Sequence, residues 1–145
     1  MKFSFASAED KEQIKQLLAR SNLHHQDIHT SQLQHFLTVK DDTSLTLAGV
    51  VGLEPNGEVG LLRSLAVAET YRRQGLGTQL VKKIEKYARS QQVGILYLLT
   101  LTAQNFFNRQ GYQTTDRASA PPALQETTEF KSLCPQTAVC MKKHL

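Results

Sequence analysis

The sequence contains little cysteine and no long apolar run. Cys134 and Cys140 are its two cysteines in 145 residues, so a disulfide-stapled secreted fold is not expected. No apolar run approaches the roughly 20 residues that a membrane-spanning helix needs. Residues 1–10 lack the apolar core of an export signal. We therefore expect a cytoplasmic protein with reduced thiols and no membrane partner.

The sequence also contains no dense cluster of residues with the same sign of charge. The chain carries 17 lysine and arginine residues against 13 aspartate and glutamate residues, for a formal net charge of +4. The basic residues are scattered and are not interleaved with aromatic residues, so nucleic acid is only a weak alternative as a partner. The sequence also lacks repeats, low-complexity tracts and linkers, and its length suits a single domain over residues 1–145.

Strand and helix patterns alternate along the chain. Apolar, β-branched segments predict strands at residues 2–6, 45–53, 59–67, 95–101 and 138–141, and residues 112–116 alternate like a strand. Helical spacing of apolar residues predicts helices near residues 14–18, 28–37 and 76–88. Further helices are predicted at residues 103–110, ending at Gly111, and at residues 122–133, stopped by Pro135. Pro55-Asn-Gly-Glu58 predicts a hairpin turn, and the strand–helix–strand order over residues 59–101 predicts parallel neighbours. The expected fold class is α/β, with a mixed central sheet flanked by helices.

The segment Arg72-Arg-Gln-Gly-Leu-Gly77 joins a buried strand to an amphipathic helix. Glycine lets the backbone bend and brings main-chain N–H groups close to a ligand. These groups point in the same direction as the helix dipole, so the junction favours an anion such as a phosphate or pyrophosphate. The arginines add charge-assisted hydrogen bonds to phosphate oxygens. We interpret residues 72–77 as a phosphate cradle.

Other phosphate loops and a plain turn are alternatives to the phosphate cradle. A dinucleotide fingerprint needs a third glycine three residues after Gly77, where this sequence has Leu80. An NTPase loop needs Gly-Lys-Ser/Thr, whereas this sequence has Gly77-Thr-Gln79. A glycine turn that only starts a helix does not account for the adjacent arginines and the preceding buried strand. The ligand-binding interpretation is therefore favoured.

Leu65-Ala-Val67 and Tyr71-Arg-Arg-Gln-Gly-Leu-Gly77 resemble the acetyl-CoA signature of the GNAT superfamily of N-acetyltransferases, Gln/Arg-x-x-Gly-x-Gly/Ala. The resemblance implies that the loop amides bind the CoA pyrophosphate. It also implies that the preceding strand pairs with the pantetheine arm, where two parallel strands splay apart into an acetyl-CoA cleft. The implied co-substrate is acetyl-CoA. The implied cofactor-binding residues are Leu65, Ala66, Val67, Arg72, Arg73, Gln74, Gly75, Leu76, Gly77, Thr102, Asn105 and Phe106. Helix capping by Thr102 and core packing by Phe106 are the alternatives for those two.

Other segments resemble particular subfamilies within the GNAT superfamily. Arg63-Ser-Leu-Ala-Val67, Leu99-Thr-Leu-Thr102 and Phe106-Phe-Asn-Arg-Gln-Gly-Tyr112 are similar to amino-acid acetyltransferases of the N-acetylglutamate synthase kind. Residues 116–122, 128–135 and 138–141 resemble the small bacterial N-acetyltransferases encoded in arsenic-resistance operons. The resemblance implies a small, amino-acid-like amine as the acceptor, including arsenic-containing amino-acid analogues. It leaves a homodimer open, because oligomeric state in the superfamily often depends on the last strands.

Arg63 interrupts an apolar strand. Because a buried guanidinium is costly unless it is paired, Arg63 must have a partner. One interpretation is an internal ion pair with one of four acids, Glu54, Glu58, Asp116 or Glu129. The other places Arg63 and the adjacent Ser64 against a carboxylate or similar oxyanion of the acceptor. Burial cost does not separate the two, and the family resemblance favours the acceptor.

No residue stands out as the catalytic acid. Many GNAT enzymes carry a tyrosine on the short helix that protonates the departing thiolate, but the matching position here is Phe107. The glutamate that related amino-acid acetyltransferases carry early in the strand matches Leu61. Tyr97 and Tyr112 remain as candidates, with a structural role in the core as the alternative for each. Catalysis is expected to depend on positioning more than on an acid–base pair.

The sequence predicts no metal site. Cys134 and Cys140 lack a third thiol or a histidine motif, so they are expected to be small buried side chains and not a metalloid site. His24, His25 and His29 do not have a zinc-binding spacing. Besides an acetyltransferase, the sequence leaves two other functions open, neither of which is catalytic. One is a regulatory CoA-binding module without catalysis, and the other is a metalloid-binding protein that uses both cysteines.

Overall fold

The computed structural model describes residues 1–133 and 135–145. Its strands are β1 Lys2–Phe5, β2 Phe36–Lys40, β3 Leu47–Asn56, β4 Val59–Val67, β5 Ile95–Thr100, β6 Gln113–Thr115 and β7 Val139–His144. Its α-helices are α1 Lys11–Arg20, α2 Leu76–Ser90, α3 Gln104–Arg109 and α4 Pro122–Gln125. The strands form a seven-stranded mixed sheet in the order β1-β2-β3-β4-β5-β7-β6. The predicted mixed α/β class is confirmed.

The chain divides into two compact units. The first unit contains residues 1–53 and 64–84, and the second contains residues 54–63 and 85–145. A single domain over residues 1–145 stays a prediction. Within the part of the chain that the structure describes, no helix combines the length and apolar character needed to cross a membrane.

In the first unit, β1, β2 and β3 are antiparallel neighbours. Phe3 of β1 lies opposite Val39 of β2, and Phe36 of β2 lies opposite Gly52 of β3. α1 contributes the apolar face that its sequence predicts. The core of this unit consists of Ile14, Leu17, Leu18, Ile28, Leu33, Phe36, Leu47, Val50 and Ala66. It therefore reaches from α1 to the last residues of β4.

The predicted helix near residues 28–37 is confirmed only in part. A 3₁₀ helix at Thr30–His35 leads directly into β2. All side chains from Phe36 to Val39 are buried, and such a short apolar run looks the same in a buried strand as in a buried helical turn. Pairing with β1 on one edge and β3 on the other decides the conformation, because it satisfies the backbone groups of a segment that lies between two strands.

In the second unit, β4 and β5 are parallel. Val59 pairs with Ile95 and Leu61 pairs with Tyr97, so the predicted parallel neighbours are confirmed. β7 pairs in antiparallel fashion with both β5 and β6. The core of this unit brings the paired strands together with the C-terminal segment, through Leu61, Tyr97, Ala120, Leu124, Phe130 and Cys140.

One continuous helix over residues 122–133 is wrong. α4 ends at Gln125, and a separate π-helical turn occupies Glu129–Leu133. Thr127 lies between them, and its hydroxyl donates to Leu124 O at 2.7 Å. A threonine side chain that binds a nearby carbonyl competes with regular helical hydrogen bonding. The sequence therefore predicted helical structure in this segment but not its interruption at Thr127.

Candidate functional site

The phosphate cradle at residues 72–77 lies between a short 3₁₀ helix, Glu69–Tyr71, and α2. Arg73 has φ +65° and Gly75 has φ +77°, so both adopt left-handed backbone conformations. Turns of this kind can direct successive main-chain N–H groups into a concavity that binds anions. Residues 72–75 are exposed, so a ligand can reach these groups.

α2 begins directly at the phosphate cradle. Gln79 N donates to Gly75 O at 3.1 Å, which starts the hydrogen-bond ladder of the helix. The amides of Leu76 and Gly77 precede this bond and point out of the helix end. α2 has 15 residues, so the positive end of its dipole adds to the attraction for an anion. The backbone of the turn therefore fits a phosphate or diphosphate group.

Packing beneath the phosphate cradle holds α2 against the sheet of the first unit. Leu76 is 4% exposed and Leu80 is fully buried. A β-carbon at Gly49 of β3 would lie 3.0 Å from Leu80 Cδ1 and 3.1 Å from Ala66 O. The missing side chain at Gly49 therefore permits the close approach of α2, β3 and β4. This contact positions the start of the helix relative to the end of β4.

The predicted pantetheine-binding segment, Leu65, Ala66 and Val67, forms the end of β4. The preceding Ser64 has φ +59°, which is rare inside a strand. A left-handed residue inside a strand changes the direction of the main chain at that point. Val67 O accepts a hydrogen bond from Arg72 Nε at 2.9 Å. One arginine of the phosphate cradle is therefore tied to the end of this strand.

The predicted site residues are divided between the two units. Ser64 and the cofactor residues on strand and loop lie in the first unit, namely Leu65, Ala66, Val67, Arg72, Arg73, Gln74, Gly75, Leu76 and Gly77. Arg63 and the residues around α3 lie in the second unit, namely Thr102, Asn105 and Phe106. In the first set, residues 72–77 lie at the start of α2, and Arg72 is hydrogen-bonded to Val67 at the end of β4. Roles in binding stay predictions for both sets.

Arg63 has a fully buried side chain with two acidic partners. Its Nη1 donates to Glu54 Oε2 at 2.8 Å, and its Nε lies 3.7 Å from Glu129 Oε1. The Glu129 side chain is 8% exposed and the Glu54 side chain is 22% exposed. The internal ion pair that the sequence left open is thus present. An acceptor carboxylate would share Arg63 with these acids, and that role stays a prediction.

Tyr97 and Tyr112, the two candidate acids, are both buried in the second unit. Tyr97 is 6% exposed and packs in the core beside Leu61. Tyr112 is 1% exposed, and its hydroxyl donates to Glu85 Oε2 at 2.9 Å. Burial, the charge of Glu85 and this hydrogen bond raise the pKa of Tyr112. Tyr112 therefore holds its proton firmly, as expected for a structural tyrosine.

Glu85 is a buried acid that the sequence analysis missed. It is 4% exposed, and both of its carboxylate oxygens lie 3.1 Å from Lys143 Nζ. Lys143 also donates to Gln110 O at 2.9 Å. A signal was available, because position 85 falls on the same helical face as the buried residues Val81 and Ala88. A charged residue on the buried face of an amphipathic helix indicates a partner.

α3 carries Asn105 and Phe106, and Thr102 lies just before it. Thr102 and Asn105 are exposed, and Phe106 is half-buried. The hydroxyl that supports the start of α3 belongs to Thr100, whose Oγ1 accepts from Ala103 N at 3.0 Å. The N-cap of α3 is Ala103, which makes no side-chain capping hydrogen bond, so Thr102 does not have the capping role considered for it.

Phe107 occupies the helix position where the resemblance places a catalytic tyrosine. It is 5% exposed and makes edge-to-face contacts with Phe106 at 5.1 Å and Tyr112 at 5.5 Å between ring centroids. Leu61, at the position of the related glutamate, is fully buried. Both departures from the family pattern are therefore apolar packing positions.

Glu58, Asp116 and the two cysteines are the remaining residues that the sequence analysis considered. Glu58 and Asp116 are exposed, and Asp116 Oδ1 accepts from Ala118 N at 3.1 Å. Cys140 is buried, and burial raises the pKa of its thiol to about 11. Cys134 lies outside the described residues. Among the residues that the structure does describe, no group of three histidine, cysteine, aspartate or glutamate side chains is arranged to hold a metal ion.

The fold is a mixed α/β sheet in which an exposed turn at residues 72–75 follows β4 and a short 3₁₀ helix and leads into α2. Residues 4–112 match the Acetyltransferase (GNAT) family. The chain belongs to this family, so the superfamily resemblance of residues 65–77 is confirmed.

Relatives in sequence carry acetyltransferase names. An uncharacterized N-acetyltransferase of Chlorobaculum tepidum is 34% identical over 79 residues, which are 54% of this chain and 48% of that protein. An amino-acid acetyltransferase of Pseudomonas aeruginosa is 26% identical over 100 residues, which are 69% of this chain and 23% of that protein. The match thus spans about half of the first relative and under a quarter of the second.

Solved structures share the fold. N-acetylglutamate synthase from Neisseria gonorrhoeae, complexed with coenzyme A and L-arginine, has a TM-score of 0.83 at 20% identity, covering 99% of this chain and 33% of that chain. A Mycobacterium tuberculosis protein, Rv2747, in complex with CoA has a TM-score of 0.84 at 19% identity, covering 100% of this chain and 99% of that chain. These likenesses establish the GNAT fold over the whole chain.

Proposed function

We propose that the chain is an acetyl-CoA-dependent N-acetyltransferase that acetylates the amine of a small, amino-acid-like acceptor. The observation that carries the proposal is the exposed phosphate cradle at residues 72–77, at the start of α2 in a GNAT-family chain. Structural neighbours that contain CoA and relatives named amino-acid acetyltransferases support the same conclusion.

In this proposal the phosphate cradle holds the diphosphate of CoA. The amides of Leu76 and Gly77 lie at the positive end of α2, and Arg72 and Arg73 add positive charge beside them. The main chain of residues 65–67, redirected after Ser64, holds the pantetheine arm. Acetyl-CoA supplies the activated thioester, and the chain supplies its position. Cofactor contacts of Thr102, Asn105 and Phe106, which the family resemblance implies, stay a prediction.

Arg63 and Ser64 are proposed to face the acceptor. Arg63 stands between two carboxylates, those of Glu54 and Glu129. Such a cluster offers positive and negative groups together, which suits the ammonium and carboxylate of an amino acid. The proposal therefore includes ordinary amino acids, and the sequence resemblance of residues 116–122, 128–135 and 138–141 adds arsenic-containing amino-acid analogues. A homodimer and a cytoplasmic location belong to the proposal as well, and light scattering tests the first of these.

Proton transfer in this proposal has no strong acid. Phe107 has no hydroxyl, and the Tyr112 hydroxyl already donates a hydrogen bond to Glu85. The pKa of Tyr112 is raised, which makes it a weak donor to a departing thiolate. Alignment of a neutral amine with the thioester carbonyl can supply most of the rate enhancement. Tyr97 stays the second candidate for the acid.

Calorimetric titration with CoA, followed by a thiol-release assay across amino acids and arsenical analogues, tests the proposal. We expect CoA to bind and at least one amino-acid-like amine to release free CoA from acetyl-CoA. A chain that does not bind CoA would contradict the proposal entirely. Binding without turnover of any amine would favour the regulatory CoA-binding module, which the apolar positions Phe107 and Leu61 also motivate.

A further inference from the structure

Tyr71 is the last residue before the exposed part of the phosphate cradle. It ends the 3₁₀ helix Glu69–Tyr71 and is half-buried, whereas residues 72–75 are exposed. The next buried side chain along the chain is Leu76, at 4% exposure. The conformation of the cradle therefore depends on how its two ends, Tyr71 and Leu76, are held.

Asp41 holds the Tyr71 end. The Tyr71 hydroxyl donates to Asp41 Oδ2 at 3.0 Å, across 30 positions of sequence. The backbone gives a second constraint, because Tyr71 N donates to Ala68 O at 2.9 Å and Ala68 N donates to Ala48 O at 2.8 Å. The ring of Tyr71 thus links the cradle entry to the turn between β2 and β3, while its backbone is linked to β3.

The carboxylate of Asp41 is itself held in place. Its Oδ1 accepts from Thr43 N at 2.8 Å and from Ser44 N at 3.2 Å. Its backbone N donates to Thr46 O, and its backbone O accepts from Leu45 N, both at 2.9 Å. The hydrogen bonds from Thr43, Ser44 and Tyr71 also hold the pKa of Asp41 below its usual value. An ionised, oriented acceptor therefore meets the Tyr71 hydroxyl at neutral pH.

We propose that Asp41 and Tyr71 are positioning residues for cofactor binding, which set the conformation of residues 72–77 before the ligand arrives. A carboxylate is a poor direct ligand for a diphosphate, because the two carry charge of the same sign. Asp41 acts through Tyr71 and not through contact with the ligand. The inference rests on the proposed function, since it assumes that the phosphate cradle binds CoA.

Tyr71→Phe and Asp41→Asn test the pair. Tyr71→Phe removes one hydroxyl, and Asp41→Asn removes the charge while keeping an oxygen for Thr43 and Ser44. Each variant should weaken CoA affinity about three- to tenfold, and the double variant should lose little more than the larger single loss. The KM for acetyl-CoA should rise with kcat unchanged. Tyr87→Phe and Asp42→Asn are the matched controls and should bind CoA like the wild type.

Amide hydrogen exchange of the peptide spanning residues 72–79 gives a readout without ligand. Exchange should be faster in both variants than in the wild type and unchanged in both controls. Variants that bind CoA within twofold of the wild type, or whose exchange over residues 72–79 is unchanged, overturn this inference alone. A wild-type chain that does not bind CoA overturns the proposed function, and the inference falls with it.

Discussion

Two glycines, Gly57 and Gly75, share a left-handed backbone conformation, and comparing them can distinguish ligand binding from plain turn formation. Gly57 in the β3–β4 hairpin has φ +68°, and Gly75 in the phosphate cradle has φ +77°. A β-carbon at either glycine would meet nothing within 4 Å. The two positions therefore carry the same backbone requirement without a steric difference, and only Gly75 is proposed to contact a ligand.

Gly75→Ala and Gly57→Ala form a matched pair. Each should lower the free energy of unfolding by about 1–2 kcal/mol, because a left-handed conformation is unfavourable for alanine. Only Gly75→Ala should also weaken CoA binding, which calorimetry measures beside urea denaturation. Equal CoA affinity in both variants would show that the cradle backbone does not contact the cofactor.

Arg63 shows how one buried charge constrains its neighbours. Arg63→Met removes the guanidinium between Glu54 and Glu129, and the buried Glu129 then loses its cationic neighbour. The expected loss is about 3–5 kcal/mol of unfolding free energy in urea denaturation. Glu129→Gln in the same chain should restore part of it, because the amide is less costly to bury than a carboxylate.

Arg109→Met is the control for Arg63→Met. Arg109 is exposed, and substitution there should change the unfolding free energy by less than about 0.5 kcal/mol. Similar losses for the two methionine variants would mean that the ion pairs of Arg63 contribute nothing beyond an exposed charge.

At the scale of elements, β2 and β3 pack against each other through a large residue on one strand and a glycine on the other. Phe36 lies opposite Gly52. A β-carbon on Gly52 would lie 2.6 to 2.8 Å from three atoms of the Phe36 ring. The aromatic ring thus packs over the glycine, and it fits there only because position 52 has no side chain. This pairing also explains why residues 36–40 form a strand despite a helix-like spacing in the sequence.

Gly52→Ala should lower the melting temperature, since the added methyl group overpacks the ring at a cost of about 1–3 kcal/mol. Phe36→Leu should be less harmful in the Gly52→Ala chain than in the wild type, and a double-mutant cycle measures that coupling. Gly94→Ala is the control, because a β-carbon there would lie 3.8 Å from Glu58 O, an ordinary contact. Additive losses at positions 36 and 52 would contradict the proposed contact.

For the molecule as a whole, acid stability depends in part on Asp10. Lys40 Nζ donates to its Oδ1 at 2.7 Å, and Ser7 N donates to its Oδ2 at 2.9 Å. Burial acts to raise the pKa of Asp10, but the bonds from Lys40 and Ser7 outweigh it and lower the pKa. A lowered folded-state pKa adds stability above the unfolded value near 3.8, and that stability is lost as pH falls through the folded pKa.

Asp10→Asn should therefore be less stable than the wild type at pH 7, by about 1 kcal/mol. The difference should shrink as pH falls below about 4 and both chains carry an uncharged side chain at this position. Urea denaturation at several pH values measures the effect, with Glu12→Gln on the exposed face of α1 as control. A gap between Asp10→Asn and wild type that is independent of pH would exclude the charge as its cause.

The amino-acid sequence alone determined the parts of this protein that depend on local pattern. The turn before α2 at residues 72–77 was predicted because glycine, arginine and a helix start stand together within six positions, and its phosphate-binding role stays a prediction. β4 and α2 followed from long apolar stripes with clear boundaries. These signals lie within one element, where backbone geometry and side-chain spacing are linked directly.

Only the tertiary structure decided which distant residues meet. It paired Arg63 with Glu54 and Glu129, joined Tyr71 to Asp41, and placed Glu85 against Lys143. A charged residue in an apolar pattern shows that a partner is required, but several acids or bases can satisfy that need equally well. The choice depends on strand order and packing across the chain, which no local spacing contains.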